Sequence, residues 1–187
     1  MNKIILASAS PRRRELMALI TKEFEVIPSG ADETVPQGIK ALEQAEYLAV
    51  LKADDIAEKY PDSIVIGADT CVVAENEVLG KPKDKEDAER MLRLLSGKTH
   101  KVVTGCAIVD GKRKISFSNV TDVEFYSLSE REIEEYINTP EPYDKAGGYG
   151  IQGKASLFVK AIKGDYFNVV GFPVSQLNRA LKEFKKH

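Results

Sequence analysis

Apolar residues recur along this chain in two alternating rhythms: short unbroken runs, and longer stretches with helical spacing. Lys3–Ala7 is a run suited to a buried strand. Ser10-Pro11 then supplies an N-cap and first helical residue, opening a helix to about Thr21 with Leu16, Leu19 and Ile20 on one face. Phe24–Ile27 reads as a second strand, followed by a polar loop, Ser29–Gly38. A long helix is predicted over Ala41–Tyr60, stopped by Pro61, and a strand over Ile64–Ala68. Cys71–Ala74 and Glu77–Leu79 form a hairpin around Glu75-Asn76. Lys85–Leu95 is a helix closed by Gly97. His100–Val109 and Lys114–Tyr126 are paired strands joined at Asp110-Gly111. Ser-Glu-Arg-Glu at the start of Ser129–Asn138 is a capping box, so that segment is a helix. After a Pro- and Gly-rich loop, Thr139–Ser156, strands are expected at Leu157–Ile162 and Tyr166–Val170 and a last helix at Pro173–Phe184.

Strands and helices in alternation predict an α/β fold. No linker interrupts the 187 residues, so residues 1–187 form a single domain, with two lobes possible around a central cleft. Lys and Arg number 27 against 29 Asp and Glu, a net charge of -2, which argues against bulk nucleic acid as a partner. The apolar runs fall far short of the about 20 residues that cross a membrane. Two cysteines, Cys71 and Cys106, are too few for a disulfide framework and fit reduced, cytosolic thiols. The apolar stretch Ile4–Ala7 is too short for a secretory leader and Arg12-Arg13-Arg14 follows it, so a cytoplasmic protein is expected. The strand-rich middle is compatible with a homodimer.

Chemistry has three main places to sit. Ser8-Ala9-Ser10-Pro11-Arg12-Arg13-Arg14 joins a strand to a helix start, where unpaired N–H groups suit phosphate. Its arginines either grip oxyanions with their planar forks or form a solvated basic turn. Asp69-Thr70 follows the strand Ile64–Ala68, at the end of a strand where ligands of open sheets bind. A carboxylate there holds a hard cation or orients a water, or else merely caps a turn. Lys52 falls on the apolar stripe Leu42, Ala45, Leu48, Ala49, Ile56, and must find a phosphate or snorkel to the surface. Glu33 and Lys81, taken alone, are solvated charges. Asp144–Lys154 gathers glycines around Gln152, as a close approach to a base edge or as a flexible surface loop. With His100 and His187 the only histidines, no structural zinc site can be assembled, and the cysteines read as small strand hydrophobes.

Taken in order, Ile5-Leu6-Ala7-Ser8-Ala9-Ser10-Pro11-Arg12-Arg13, Ile66-Gly67-Ala68-Asp69-Thr70, Leu79-Gly80-Lys81-Pro82, Leu94-Leu95-Ser96-Gly97 and Asp144–Gly153 resemble the Maf family of septum-formation-inhibitor-like nucleotide pyrophosphatases. The resemblance spans nearly the whole chain. It implies a central mixed, twisted sheet flanked by helices with a cleft between two lobes, as in inosine-triphosphate pyrophosphatases. It also implies hydrolysis of nucleoside triphosphates to monophosphate and pyrophosphate with a divalent metal, Mg2+ or Mn2+. By the same resemblance Asp69 is the general base, and Arg12, Thr70 and Gln152 set specificity. Ser8, Arg13, Glu33, Lys52 and Lys81 match the family's polar cleft positions, and the physical reading that agrees with it puts Ser8, Arg12, Arg13, Lys52 and Lys81 on the substrate and Glu33 with Asp69 at the metal. Gly150-Ile151-Gln152-Gly153 is similar to the branch acting on dTTP, UTP and modified uridine nucleotides rather than that acting on 7-methyl-GTP. Arg14, Cys71 and Gly148 depart from the pattern of many relatives and bear on substrate preference. The alternative is a non-catalytic nucleotide-binding regulator of cell division, with the same cations but no placed base.

Overall fold

The structure, a computed structural model, describes residues 3–186; His187, weighed above, lies outside them, as do Met1 and Asn2. In chain order the elements are β1 (Ile4–Leu6), α1 (Pro11–Met17), β2 (Glu25–Val26), α2 (Gln44–Ala57), β3 (Ile64–Ala74), β4 (Glu77–Leu79), α3 (Lys85–Leu95), β5 (Thr99–Val109), β6 (Lys114–Phe125), α4 (Glu130–Ile137), β7 (Val159–Lys163), α5 (Tyr166–Val170) and α6 (Val174–Phe184). A 3-10 turn, Ala41–Glu43, leads into α2, and three more punctuate the segment between α4 and β7. The strands form one mixed sheet ordered β2-β1-β3-β5-β6-β7, with β4 on β3. β1 runs parallel to β2 and β3, while β3–β4 and β6–β7 are antiparallel. Helices flank this sheet, as the alternating rhythm predicts.

The chain divides into two compact units. Among the described residues, one holds 3–69, 104–119 and 171–186; the other holds 70–103 and 120–170. The first unit buries Ile5, Ala7 and Val65 with Ala49, Ala53, Ile56 and Ala57 of α2. The second packs α3 (Ala88, Met91, Leu92, Leu95) and α4 (Ile133, Tyr136, Ile137) with Val102, Val123 and Phe125.

Local signals explain most boundaries. Ser10 caps α1 by accepting the Arg13 N–H, Pro11 fills the first turn, and Ser129 and Glu132 form the capping box of α4. Glu75 and Asn76 both take positive φ, the requirement of a tight hairpin turn with the hand of twisted strands. Three expectations are corrected. α1 ends at Met17 and buries Leu16 and Met17, while Leu19 is 65% exposed. β3 does not stop at Ala68: it continues through Asp69 to Ala74 because its second half pairs with β4. Tyr166–Val170 is a helix, not a strand. Gly164, at φ +134°, turns the chain, and Asp165 then accepts the Phe167 N–H at 2.8 Å. Buried Asn168 donates to Val102 O (3.0 Å) and Thr121 Oγ1 (2.9 Å), bonds that outweigh the strand propensity of the aromatic and β-branched neighbours.

Candidate functional site

In the first unit the site begins with a helix that lies unusually close to the sheet. α2 presents Ala45, Ala49 and Ala53, all fully buried, at intervals of one turn. They face glycines. A Cβ added at Gly67 would stand 2.2 Å from Ala49 O, and one at Gly105 2.3 Å from Glu46 Cα, so neither position admits a side chain without moving α2. The buried stripe therefore runs through small residues, and Leu42, expected on it, is exposed. The close approach brings Lys52 down onto β3.

Lys52 Nζ donates to Asp69 Oδ1 at 2.6 Å and pairs with Glu33 Oε2 at 3.0 Å. The Lys52 and Asp69 side chains are 12% and 15% exposed, and that of Glu33 is 54% exposed. The partner of the half-buried ammonium is thus a pair of carboxylates, one from inside a strand and one from the loop before α2. Two carboxylates meeting at one cationic centre suit a hard cation that takes its remaining ligands from phosphate and water. Among the described residues no group of three or more His, Cys, Asp or Glu side chains could hold a metal without such help.

Ser8, buried where the chain leaves β1, accepts from the Ser10 N–H (3.3 Å) and from Arg13 Nη1 (3.4 Å). Arg13 also donates from Nη1 to Ala68 O and from Nε to Gly171 O, each at 2.9 Å. Its fork therefore fastens the β1–α1 turn to β3 and to the start of the last segment. Burial pulls the Arg13 guanidinium below its ordinary pKa, and the nearby Asp69 carboxylate opposes that pull. Arg12, half-buried, contributes a second positive charge that acts on Arg13. Ser8, Arg13, Glu33, Lys52 and Asp69 are thus brought together, with Arg12 beside them. Cys106 is fully buried here, and burial pushes its thiol up to about 12, the opposite of what a nucleophile requires.

Lys81, Thr70 and Gln152 belong to the second unit. Thr70 is half-buried within β3, and Lys81 and Gln152 are exposed. The Gly-rich segment is not a floppy loop. Gly147 and Gly148 are buried at positive φ, and the Gly147 N–H donates to Gly80 O at 2.9 Å, tying the neighbourhood of Lys81 to the segment that ends at Gln152. A Cβ at Gly147 would meet the Val72 side chain at 2.8 Å. Beyond Gln152, the Glu141 carboxylate accepts from the Lys154 N–H at 3.0 Å and stands 2.0 Å from where a Gly153 Cβ would be. Tyr149 is anchored by a 2.6 Å hydrogen bond between its hydroxyl and His100 Nε2. Glu141, Asp55 and Gly105 escape sequence reasoning. Their partners are distant in the chain.

The chain is similar to known proteins along its whole length. Residues 3–184 match the family model described as Maf-like protein. A Bacillus cereus protein named dTTP/UTP pyrophosphatase is 49% identical over 184 residues, 98% of this chain and 96% of that relative. A Bacillus cytotoxicus protein of the same name is 50% identical over the same shares. Among solved structures, the Ham1 protein of Staphylococcus aureus superposes with a TM-score of 0.55 at 15% identity, over 97% of this chain and 99% of that one. A HAM1 protein from Coxiella burnetii gives 0.56 at 16%, over 98% and 100%. At those identities the structural likeness concerns the fold alone. Sequence identity near one half, over nearly every residue, together with the family match, means that the chain belongs to the Maf-like protein family.

Proposed function

We propose that this protein hydrolyses nucleoside triphosphates, dTTP and UTP foremost, to the nucleoside monophosphate and pyrophosphate. The observation that carries the proposal is the cluster in which Lys52 bridges Asp69 and Glu33 beside Arg13. It combines a carboxylate able to take a proton with fixed cations able to face a polyphosphate. The names of relatives half identical to this chain point to the same reaction and to these substrates.

In this reading a water attacks the α-phosphorus and the bond from that phosphorus to the α–β bridging oxygen breaks. Asp69 accepts the proton of the water and fixes its direction of approach. Lys52, Arg12, Arg13 and Lys81 neutralise the triphosphate and the charge that builds on the leaving pyrophosphate, and Ser8 adds a hydroxyl. Thr70 and Gln152 read the pyrimidine, the amide supplying both a donor and an acceptor. Asp69 and Glu33 fit a divalent cation, Mg2+ or Mn2+, which when bound would screen triphosphate oxygens and act as a Lewis acid. Among the described residues no helix is long and apolar enough to cross a membrane, and the proposed substrate needs none.

The test is pyrophosphate release from dTTP, UTP, CTP and GTP, with and without Mg2+ or Mn2+. Turnover led by dTTP and UTP is expected. Tight nucleotide binding without turnover under any metal condition would replace the enzyme with a nucleotide-sensing regulator.

A further inference from the structure

Glu33 stands on Ser29–Gly38, a segment without helix or strand, and its side chain is more than half exposed. A carboxylate that must meet a ligand cannot be left to wander on such a segment, since each mobile residue dilutes the productive arrangement. α2 supplies the restraint. Asp55 lies three residues beyond Lys52, on the neighbouring position of the next turn. Its Oδ2 accepts from the Ser29 hydroxyl at 2.8 Å and from the Gly30 N–H at 2.9 Å, and its Oδ1 accepts from Lys59 Nζ at 2.6 Å. Ser29 Oγ in turn accepts the Ala31 N–H at 3.1 Å. On the far side of Glu33's neighbour, Asp32 Oδ1 accepts from the Thr34 N–H (3.1 Å) and hydroxyl (2.7 Å), closing the next turn. One helix therefore holds the segment at two points, Asp55 at Ser29-Gly30 and Lys52 at Glu33. An Asp55–Lys59 pair alone would be an ordinary surface ion pair of little consequence; the two bonds into the loop set it apart.

We propose that Asp55 is the positioning residue for Glu33: it fixes the start of the loop so that the Glu33 carboxylate meets Lys52 and Asp69. This inference rests on the role given to Glu33 under the proposed function. The Lys59 ammonium, then the Ser29 and Gly30 donors, hold the Asp55 carboxyl down to about 2, so the anchor is anionic at neutral pH.

The experiment compares Asp55→Ala, Asp55→Asn, Glu33→Gln and the Asp55→Ala/Glu33→Gln pair. Backbone 15N order parameters of residues 30–34 should fall from rigid values near ~0.85 to below ~0.6 in Asp55→Ala. Asn keeps an acceptor oxygen and should restore most of the order. Unchanged order in Asp55→Ala overturns the proposal. In steady-state kinetics, Asp55→Ala should raise the nucleotide KM and the Mn2+ half-saturation by about 10- to 100-fold, as far as Glu33→Gln does, with kcat changed less. The double variant should be no worse than Glu33→Gln alone; additive losses overturn the proposal. If the unaltered protein releases no pyrophosphate from any nucleotide, the proposed function falls, and the order parameters still decide whether Asp55 holds the loop.

Discussion

Asp69 is an acid placed where strands seldom carry one. It interrupts the apolar run of β3, and its charge is tolerated because Lys52 meets it at 2.6 Å. Removing that charge while keeping shape separates chemistry from binding. Asp69→Asn should cut turnover by about 10²- to 10⁴-fold, the range for loss of a general base, while nucleotide is still bound. Retained turnover would remove Asp69 from the reaction. Gln152 belongs to a different step. Gln152→Ala should alter the order of preference among dTTP, UTP, CTP and GTP, read as kcat/KM for each, more than it lowers the best rate; an unmoved order would deny it base recognition. The sequence made these two residues visible because they sit in motifs that resemble a known family. Asp55 and Glu141 were invisible for a physical reason. On a helix face or in a turn an acid looks solvated, and only the folded chain brings Ser29, Gly30 and Lys154 to them.

Among the elements, α2 controls the site, carrying Lys52 and Asp55 and lying close to the sheet because its buried face is small. Three alanines on the helix and glycines at 67 and 105 let the two backbones nearly touch, which sets the height of Lys52 above β3. The stripe read from spacing, Leu42, Ala45, Leu48, Ala49 and Ile56, held two of these alanines, but periodicity alone does not tell which of its members lie deepest, and Leu42 is exposed. Gly105→Ala tests the packing. A methyl 2.3 Å from Glu46 Cα and N must displace the helix, so stability should fall by about 1–3 kcal/mol or more, measured by urea titration. The same shift should raise the nucleotide KM, because Lys52 moves with its backbone. A fully stable Gly105→Ala with unchanged KM would mean that the helix has slack there. Elsewhere the elements followed their local signals where caps and turns spoke clearly, as at Ser10, Ser129 and Glu75-Asn76. They departed from them at Tyr166–Val170, where tertiary bonds to Asn168 decide between strand and helix.

At the scale of the molecule, the boundary between the two units leaves little compositional trace, because three of the chain's four crossings, at 69/70, 103/104 and 119/120, fall inside β3, β5 and β6, and the fourth, at 170/171, falls at the end of α5. A boundary within strands needs no proline- or glycine-rich linker, so the sequence read as one domain. The second unit carries a feature with consequences for folding as a whole. His100 is buried in β5, edge-on to Phe125 and Tyr149 with ring centroids 5.0 and 5.3 Å away, and burial lowers its pKa to about 4. Its Nε2 meets the Tyr149 hydroxyl, and among the described residues Nδ1 has no hydrogen-bond partner. An imidazolium there would carry a buried N–H without an acceptor. The unfolded chain, by contrast, takes up this proton near the ordinary 6.5. Between 6.5 and about 4 the unfolded state therefore binds more protons than the folded one, and stability contributed by neutral His100 is complete above 6.5 and lost as pH falls through that window. At about 1.36 kcal/mol per pH unit the loss approaches about 3 kcal/mol at the acid end. Urea midpoints measured from pH 7 to 4.5 should fall steadily in the parent. His100→Gln, which keeps a hydrogen-bonding side chain but does not titrate, should start lower at pH 7 and fall less steeply. Parallel slopes would assign the acid sensitivity to carboxylates alone.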